Sequence, residues 1–546
     1  MEEKINQKPC VVQKIETPQG FSLSYKEHLL YSKYNPSKNI ITAVERLQLL
    51  PDTIILCCSP LLGYGITELL AKLPENCLIV LCEAERALYD FSDEQACLNF
   101  SDNRILKCAP DKLSDLPLTL YDLVRRCLYK RVIRIDFSAG TQFHKDFYDQ
   151  LLAASSDSVM TFWKNRITLT RFGRRYSKNL FENLHYLAES EPITNYFQAV
   201  EKPIIVFGAG ESTQTFLNKY KNLISNYFVL CADTALQPLL KNGIKADGVF
   251  VEEAQSVIVK AFTGIPDDIH IFAGLSSIPN LVHKYGAKNL SYFFTEYTKA
   301  DFLDNLKSKS FMPPANKPFG SVGLTAVYYA LKFRKDDSIP VYVTGLDFSY
   351  SPGVTHTKGA LAHLLRLISA NRIQSIGNYG AAFGNSSEKV IGKDGKYCIT
   401  TPVLKSYSLM FKGIFGQTKN LFDLGISGVD LGLQREDCFG ADTPRNDKHL
   451  NDTFISYHSE VEDRSNPYNQ EIEKYLDSEK EALQNLRDLL TGKTELKGQT
   501  LLDEIEKLAK PREYLYLHFA DGAQFSTNQS FLNRIRTEID FFLKYI

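Results

Sequence analysis

The sequence lacks a charge bias. In 546 residues, 63 Lys and Arg stand against 64 Asp and Glu, a formal net charge of −1, so nothing draws the whole chain electrostatically toward DNA, RNA or an anionic membrane. It also lacks an uninterrupted run of about 20 apolar residues, the length a membrane-spanning helix needs. The opening MEEKINQKPC has no apolar segment that could serve as a signal peptide. Eleven cysteines are scattered without a CxxC pair or regular spacing. Several of them (Cys57, Cys58, Cys77, Cys82 and Cys231) sit in apolar runs, as reduced core residues do and disulfide frameworks do not. Tandem repeats and low-complexity tracts are missing as well. Together these absences exclude a nucleic-acid binder driven by bulk charge, a membrane-spanning protein and a disulfide scaffold, and they point to a cytoplasmic protein.

What is present is alternation of strands and helices. At roughly 100–200 residues per domain the length implies two to four domains. TIILCC (53–58) reads as a strand entering the turn SPLLGYG and a helix from about residue 66, and CLIVLCEAE follows as a second strand ending in Glu83. An acid at the tip of the second strand is where dinucleotide sites hold a ribose. The turn lacks GxGxxG, however, so the unit is either structural or a working cofactor site. With RILKCA and RVIRIDF it makes an N-terminal α/β domain over 1–140. Residues 141–200 read as a helical connector with five basic residues between Lys164 and Arg175, expected to form a solvated face.

A second βα series fills 201–454. Its strands are IIVFGA, YFVLCAD, GVFVEE, HIFAG, LSYFFTE and VYVTGLD, and helices between them predict a mostly parallel, doubly wound, Rossmann-like sheet with ligands at the carboxyl ends of the strands. Over 455–546 long charged stretches with helical spacing predict a C-terminal helical domain, and the polar stretch SYHSEVEDRSNPYN is the expected link.

The strand ends of the central domain collect polar residues. PIIVFGAGEST (203–213) is a strand, a glycine turn and a helix start: Gly208, Gly210 and Ser212 can cradle a phosphate, or the joint can be structural. Asp233 closes the second strand, as a ribose ligand or a helix cap. Glu252 and Glu253 adjoin on one strand end and point to opposite sides, so at most one faces a ligand. In KPFGSVGLTAVYYALKF (317–333) the small residues Gly320, Ser321 and Gly323 leave room for a ligand or for close helix packing. VTGLDFSYSPGVTHTKGA (343–360) is a strand, the acid Asp347 and a loop bearing His356, whose imidazole suits acid or base work near neutral pH and could equally be a surface histidine.

In this order PIIVFGAGEST, LCADTALQPLLKNGIKADGVFVEE, GSVGLTAVYYAL and VTGLDFSYSPGVTHTKGA resemble the central domain of the Maf-type motility accessory factors, bacterial relatives of the archaeal MptE-like pterin diphosphokinases. LLYSKYNPSKNIITAVERL and SPLLGYGITELL resemble that family's N-terminal domain, so the resemblance spans about residues 25–435. It implies glycosyl transfer: a nonulosonic acid, of pseudaminic or legionaminic type, moved from a CMP-activated donor to Ser or Thr of flagellin before export, in a central domain similar to bacterial sialyltransferases. Carried over, Gly208, Gly210 and Ser212 match the donor motif, and Asp233 the polar residue after the second strand. Ser321, Gly323 and Thr325 match a second donor segment, Gly345 and Asp347 a Gly-x-Asp strand end, and His356 the loop histidine. His356 is then the expected base and Asp347 the acid that orients the loop or the base, with Glu252 among the donor-binding residues, no tightly bound cofactor and no metal. One departure is Glu211, where the family often has proline, which places negative charge near the expected phosphate. Two other functions fit the resemblance: a hydroxymethylpterin diphosphokinase using ATP and Mg²⁺ held by Asp233, Glu252 and Asp347, and a flagellin-binding chaperone without catalysis.

Overall fold

The computed structural model describes residues 11–281, 289–351, 354–373, 375–376, 386–434 and 471–546; the expected boundary at 454/455 and its polar link lie outside them. The described chain divides into two compact units, one of residues up to 171 with 517–524, the other of 172–516 with 525–546.

The first unit begins with three short antiparallel strands, β1 (Gln13–Thr17), β2 (Gly20–Tyr25) and β3 (His28–Leu29). Four parallel strands follow: β4 (Thr53–Cys58), β5 (Leu78–Cys82), β6 (Ile105–Cys108) and β7 (Arg131–Asp136), in the order β6-β5-β4-β7. Every residue of β4 and β5 is buried, as expected of parallel strands covered on both faces. The described cysteines are free thiols, and Cys57, Cys58, Cys77, Cys82 and Cys231 are buried; burial pushes the Cys58 thiol up to about 12.

In place of several connector helices there is one 43-residue helix, Lys145–Leu187. Its basic residues are not simply solvated. Arg166 is buried and donates to the Leu517 and Phe519 carbonyls, both at 2.8 Å. Arg174 lies 3.7 Å over the Phe541 ring and pairs with Glu538. Long stems let guanidinium groups reach buried carbonyls and rings that sequence spacing does not reveal.

The second unit is built on eight parallel strands: β8 (Ile204–Phe207), β9 (Phe228–Ala232), β10 (Gly248–Val251), β11 (His270–Gly274), β12 (Leu290–Thr295), β13 (Ala315–Asn316), β14 (Val341–Thr344) and β17 (Leu421–Asp423). They run in the order β13-β12-β11-β10-β9-β8-β14-β17, so the sequence of strands reverses between β8 and β14, the position where open parallel sheets bind ligands. Alternate residues face opposite sides. Ile204, Val206, Leu230, Phe250, Phe272 and Phe293 pack with the helix Val322–Phe333, while Phe207 meets Phe216 of the helix Glu211–Tyr220 at 5.7 Å. Outside the sheet lie a hairpin, β15 (Glu388–Ile391) with β16 (Tyr397–Thr400), and the helices Glu471–Leu490, Gly498–Ala509 and Gln529–Phe542. The protein is thus an α/β chain with four- and eight-stranded parallel sheets and C-terminal helices. Among the described residues no helix is long and apolar enough to cross a membrane.

Candidate functional site

The site is where β8 and β14 diverge. The glycine turn after β8 is shut tightly against the end of β14. A side chain at Gly208 would lie 2.4 Å from the Gly345 carbonyl, and one at Gly210 would lie 2.5 Å from an Asp347 oxygen. Gly345 itself has φ +75, a left-handed conformation that glycine adopts without strain. Three amides of the turn are already used. Gly208 N donates to Thr344 O and Gly210 N to Gly345 O, each at 2.8 Å. Ser212 N donates to Asp347 Oδ2 at 2.8 Å and Ser212 Oγ to Asp347 Oδ1. A carboxylate from the protein therefore occupies the start of the Glu211–Tyr220 helix, where the sequence places a phosphate. Of the two readings of Gly208, Gly210 and Ser212, this arrangement matches the structural joint: the turn meets an anion of the chain itself, where a bound phosphate is the other expectation. Glu211 lies in the same first turn, beside a helix end that Asp347 already meets.

Asp347 is buried, and burial raises its pKa against the opposing effects of Lys393 and the Ser212 hydrogen bonds. Among the described residues its carboxylate accepts from Ser212 and not from His356, so it fastens the glycine turn to the end of β14. Beside it a buried lysine, missed in the sequence, makes an ion pair: Lys393 Nζ to Asp423 Oδ2 at 2.5 Å, with both side chains almost fully enclosed. Lys393 comes from the turn between β15 and β16, and its amide donates to Gly428 O at 2.8 Å. Lys393 Nζ, Asp423 Oδ1 and Ser212 Oγ surround Gly425, at 2.8, 2.9 and 3.3 Å from where a Cβ would sit.

His356 lies in a loop fastened to the glycine turn. Thr357 N donates to Ala209 O at 2.8 Å. The imidazole is half-buried, its Nδ1 is 3.2 Å from Thr355 Oγ1, and burial together with the Arg366 charge lowers its pKa, leaving it neutral near pH 7.

Asp233 is the first residue of the helix Asp233–Lys241. It is 4% exposed and accepts from Thr234 N at 2.6 Å and Thr234 Oγ1 at 2.7 Å. Burial, only partly offset by those bonds, pushes its carboxyl up to about 6. Because the folded state holds this proton more tightly than the ordinary 3.8, the contribution of Asp233 to stability is full below about pH 4 and is lost as pH rises through about 6. Asp233→Asn is expected to stabilise the second unit above pH 6 by about 1–3 kcal/mol and to flatten that slope, as urea unfolding at several pH values would show.

Glu252 is held by Thr295 Oγ1 and, at 2.9 Å, by Thr325 Oγ1; the network continues from Asn316 Nδ2 to Thr295 Oγ1 at 3.0 Å. Glu253 instead accepts from Gln255 N at 2.8 Å, so the two adjoining acids do diverge. Thr325 therefore serves Glu252, and Gly323 is packed under Leu346, 2.4 Å from the place of a Cβ. Ser321 is the N-cap of the 12-residue helix Val322–Phe333, yet its hydroxyl makes no cap hydrogen bond. Unlike the helix after β8, this N-terminus meets no internal carboxylate cap among the described residues. Among the described residues no three His, Cys, Asp or Glu side chains gather as a metal site, so Asp233, Glu252 and Asp347 do not form the expected Mg²⁺ set.

In the first unit the equivalent crevice is filled. Glu83 is buried and accepts from Ser59 Oγ at 2.6 Å and Glu85 N at 2.8 Å, which leaves it no free face for a ribose. The N-terminal strands cover the carboxyl ends of β4, β5 and β7. Tyr31 OH donates to Pro60 O at 2.9 Å, Tyr25 OH reaches Glu85 Oε1 at 3.1 Å, and Ala139 N donates to Leu30 O at 3.0 Å. Leu23, Tyr25, Leu30 and Tyr31 form one apolar cluster with Leu61 and Leu88.

Comparison with known proteins agrees with this layout. The family model described as 6-hydroxymethylpterin diphosphokinase MptE-like matches residues 175–353, within the second unit. An uncharacterized protein of Treponema pallidum (strain Nichols) is 30% identical over 554 residues, spanning 97% of this chain and 94% of that protein. The structure of MAf glycosyltransferase from Magnetospirillum magneticum AMB-1 matches 99% of this chain and 91% of its own with a TM-score of 0.57 at 11% identity. The chain therefore belongs to one family with the treponemal protein, carries an MptE-like domain in its larger unit and has the fold of a Maf glycosyltransferase.

Proposed function

We propose that the protein is a glycosyltransferase that moves a nonulosonic acid, of pseudaminic or legionaminic type, from a CMP-activated donor to Ser or Thr hydroxyls of flagellin. The larger unit is read as the Rossmann-like, sialyltransferase-like donor domain. The observation that carries this reading is the His356 loop, tied by Thr357 N to Ala209 O at 2.8 Å and so held at the reversal of the strand order with a neutral imidazole. The acceptor oxygen attacks the anomeric carbon and forms the new C–O bond, and His356 takes the hydroxyl proton. The bond from the anomeric carbon to the phosphate oxygen breaks, and its electron pair leaves with CMP. The open helix N-terminus at Ser321 suits the departing phosphate, through backbone N–H groups and the helix dipole. Asp233 suits the ribose hydroxyls.

The printed description of the matched family model supports a second reading, pyrophosphate transfer from ATP to a hydroxymethylpterin. Thermal shift separates the two: CMP should stabilise the protein if the first holds, ATP with Mg²⁺ and a pterin if the second does, and none of them for a non-catalytic flagellin chaperone. The direct test is intact-mass measurement of flagellin after incubation with the protein and a CMP-nonulosonic acid. An unchanged mass with active donor rules out the transferase reading.

A further inference from the structure

A group of cations stands around the His356 loop and has no role in the mechanism above. Gly359, with φ +92, lets the loop cross the helix Asp233–Lys241 closely, so that the place of its Cβ is 3.5 Å from Lys241 Cδ and 3.8 Å from Pro238 Cα. Lys358 precedes this crossing. Gly359 N donates to His363 Nδ1 at 3.4 Å, and Arg366 lies one turn further along the helix Leu361–Ser369, on the same face as His363. Lys241 and Lys358 are exposed, while Arg366 and His363 are half-buried. Among the described residues none of the three cations has a carboxylate within ion-pair distance, whereas Lys307, Arg334 and Lys393 are each paired with one. In the same loop Thr357 Oγ1 is buried without a hydrogen-bond partner. Like charges held together without a counter-charge repel one another, and an anion placed among them removes that cost. The neighbouring cations also depress both imidazoles: Lys358, Lys241 and Arg366 act on His363 after burial, and Arg366 acts on His356 after burial.

We propose that Lys241, Lys358 and Arg366, with His363, form an oxyanion-binding subsite beside His356 that takes either the phosphate or the carboxylate of the donor. This assignment rests on the transferase reading for its donor, but the subsite can be tested without it. The full chain is titrated calorimetrically with inorganic pyrophosphate, with CMP and with free N-acetylneuraminic acid, which carries a carboxylate and no phosphate. The same titrations are run on K358Q/R366Q and on K241Q, each checked for an unchanged unfolding midpoint. Affinity for at least one probe should fall about tenfold or more in the double variant and weaken with added salt. A loss confined to pyrophosphate and CMP identifies the phosphate as the ligand group, and a loss confined to the sugar acid identifies the carboxylate. Equal affinity of wild type and variants for all three probes, or no binding of any probe to wild type, overturns the subsite. Pyrophosphate carries neither base nor sugar, so its binding here together with no sugar transfer to flagellin would sink the transferase reading and leave the subsite standing.

Discussion

Replacing Lys393 with methionine is expected to destabilise the second unit by about 3–5 kcal/mol, the usual cost of removing one partner from a buried ion pair. The lysine is 8% exposed and faces Asp423 (5%), with Asp347 (3%) close by. Without the ammonium, two carboxylates remain in a space with little water, and the Asp423 charge adds to the burial that already raises Asp347. The loss should therefore be smaller at low pH, where Asp347 protonates, and largest near pH 8. Urea unfolding of K393M and K393M/D423N at pH 5 and pH 8 reads this out. The double variant, which removes the charges of the pair together, should recover most of the loss, and a double variant no more stable than K393M would show that the lysine contributes mainly through packing or through Asp347.

The largest expected effect on activity comes from His356→Ala. A positioned general base contributes on the order of 10²–10⁴ in rate, so the turnover of sugar transfer should fall by that range while the unfolding midpoint and the KM for donor change little. The pH profile gives an independent check. Burial and Arg366 hold the imidazole below its ordinary 6.5, so the acid limb of the wild-type profile should lie below that value and be absent from the residual activity of H356A. Retention of full turnover in H356A would remove the histidine from the chemistry.

The sequence made the central sheet legible because its strands are short, continuous apolar runs: β8, β10 and β14 are buried at every position. It concealed β13, two residues long, and the three short N-terminal strands, of which only β2 buries side chains, at Ser22, Leu23 and Tyr25. Site residues were legible as polar residues at strand ends, but their partners were not. Ser212 and Asp347 are 135 positions apart, and whether that glycine turn holds a nucleotide phosphate or the chain's own carboxylate depends on how tightly β14 closes on it. Lys393 was hidden for a related reason. It sits in GKDGK, a stretch that reads as an exposed hairpin turn, and only the folded hairpin carries its ammonium inward. The cationic group around Gly359 likewise joins residues of two helices and a loop that have no common spacing.

The N-terminal strands of the first unit change what its crevice can hold. A crevice that other parallel sheets leave open to ligand is here part of the hydrophobic interior, with tyrosine hydroxyls and leucine side chains in the room a nucleotide would need. Residues 23–31 thus pack against Leu61 and Leu88 in this crevice. Removing them would uncover Leu61 and Leu88 to water and give a sticky apolar surface.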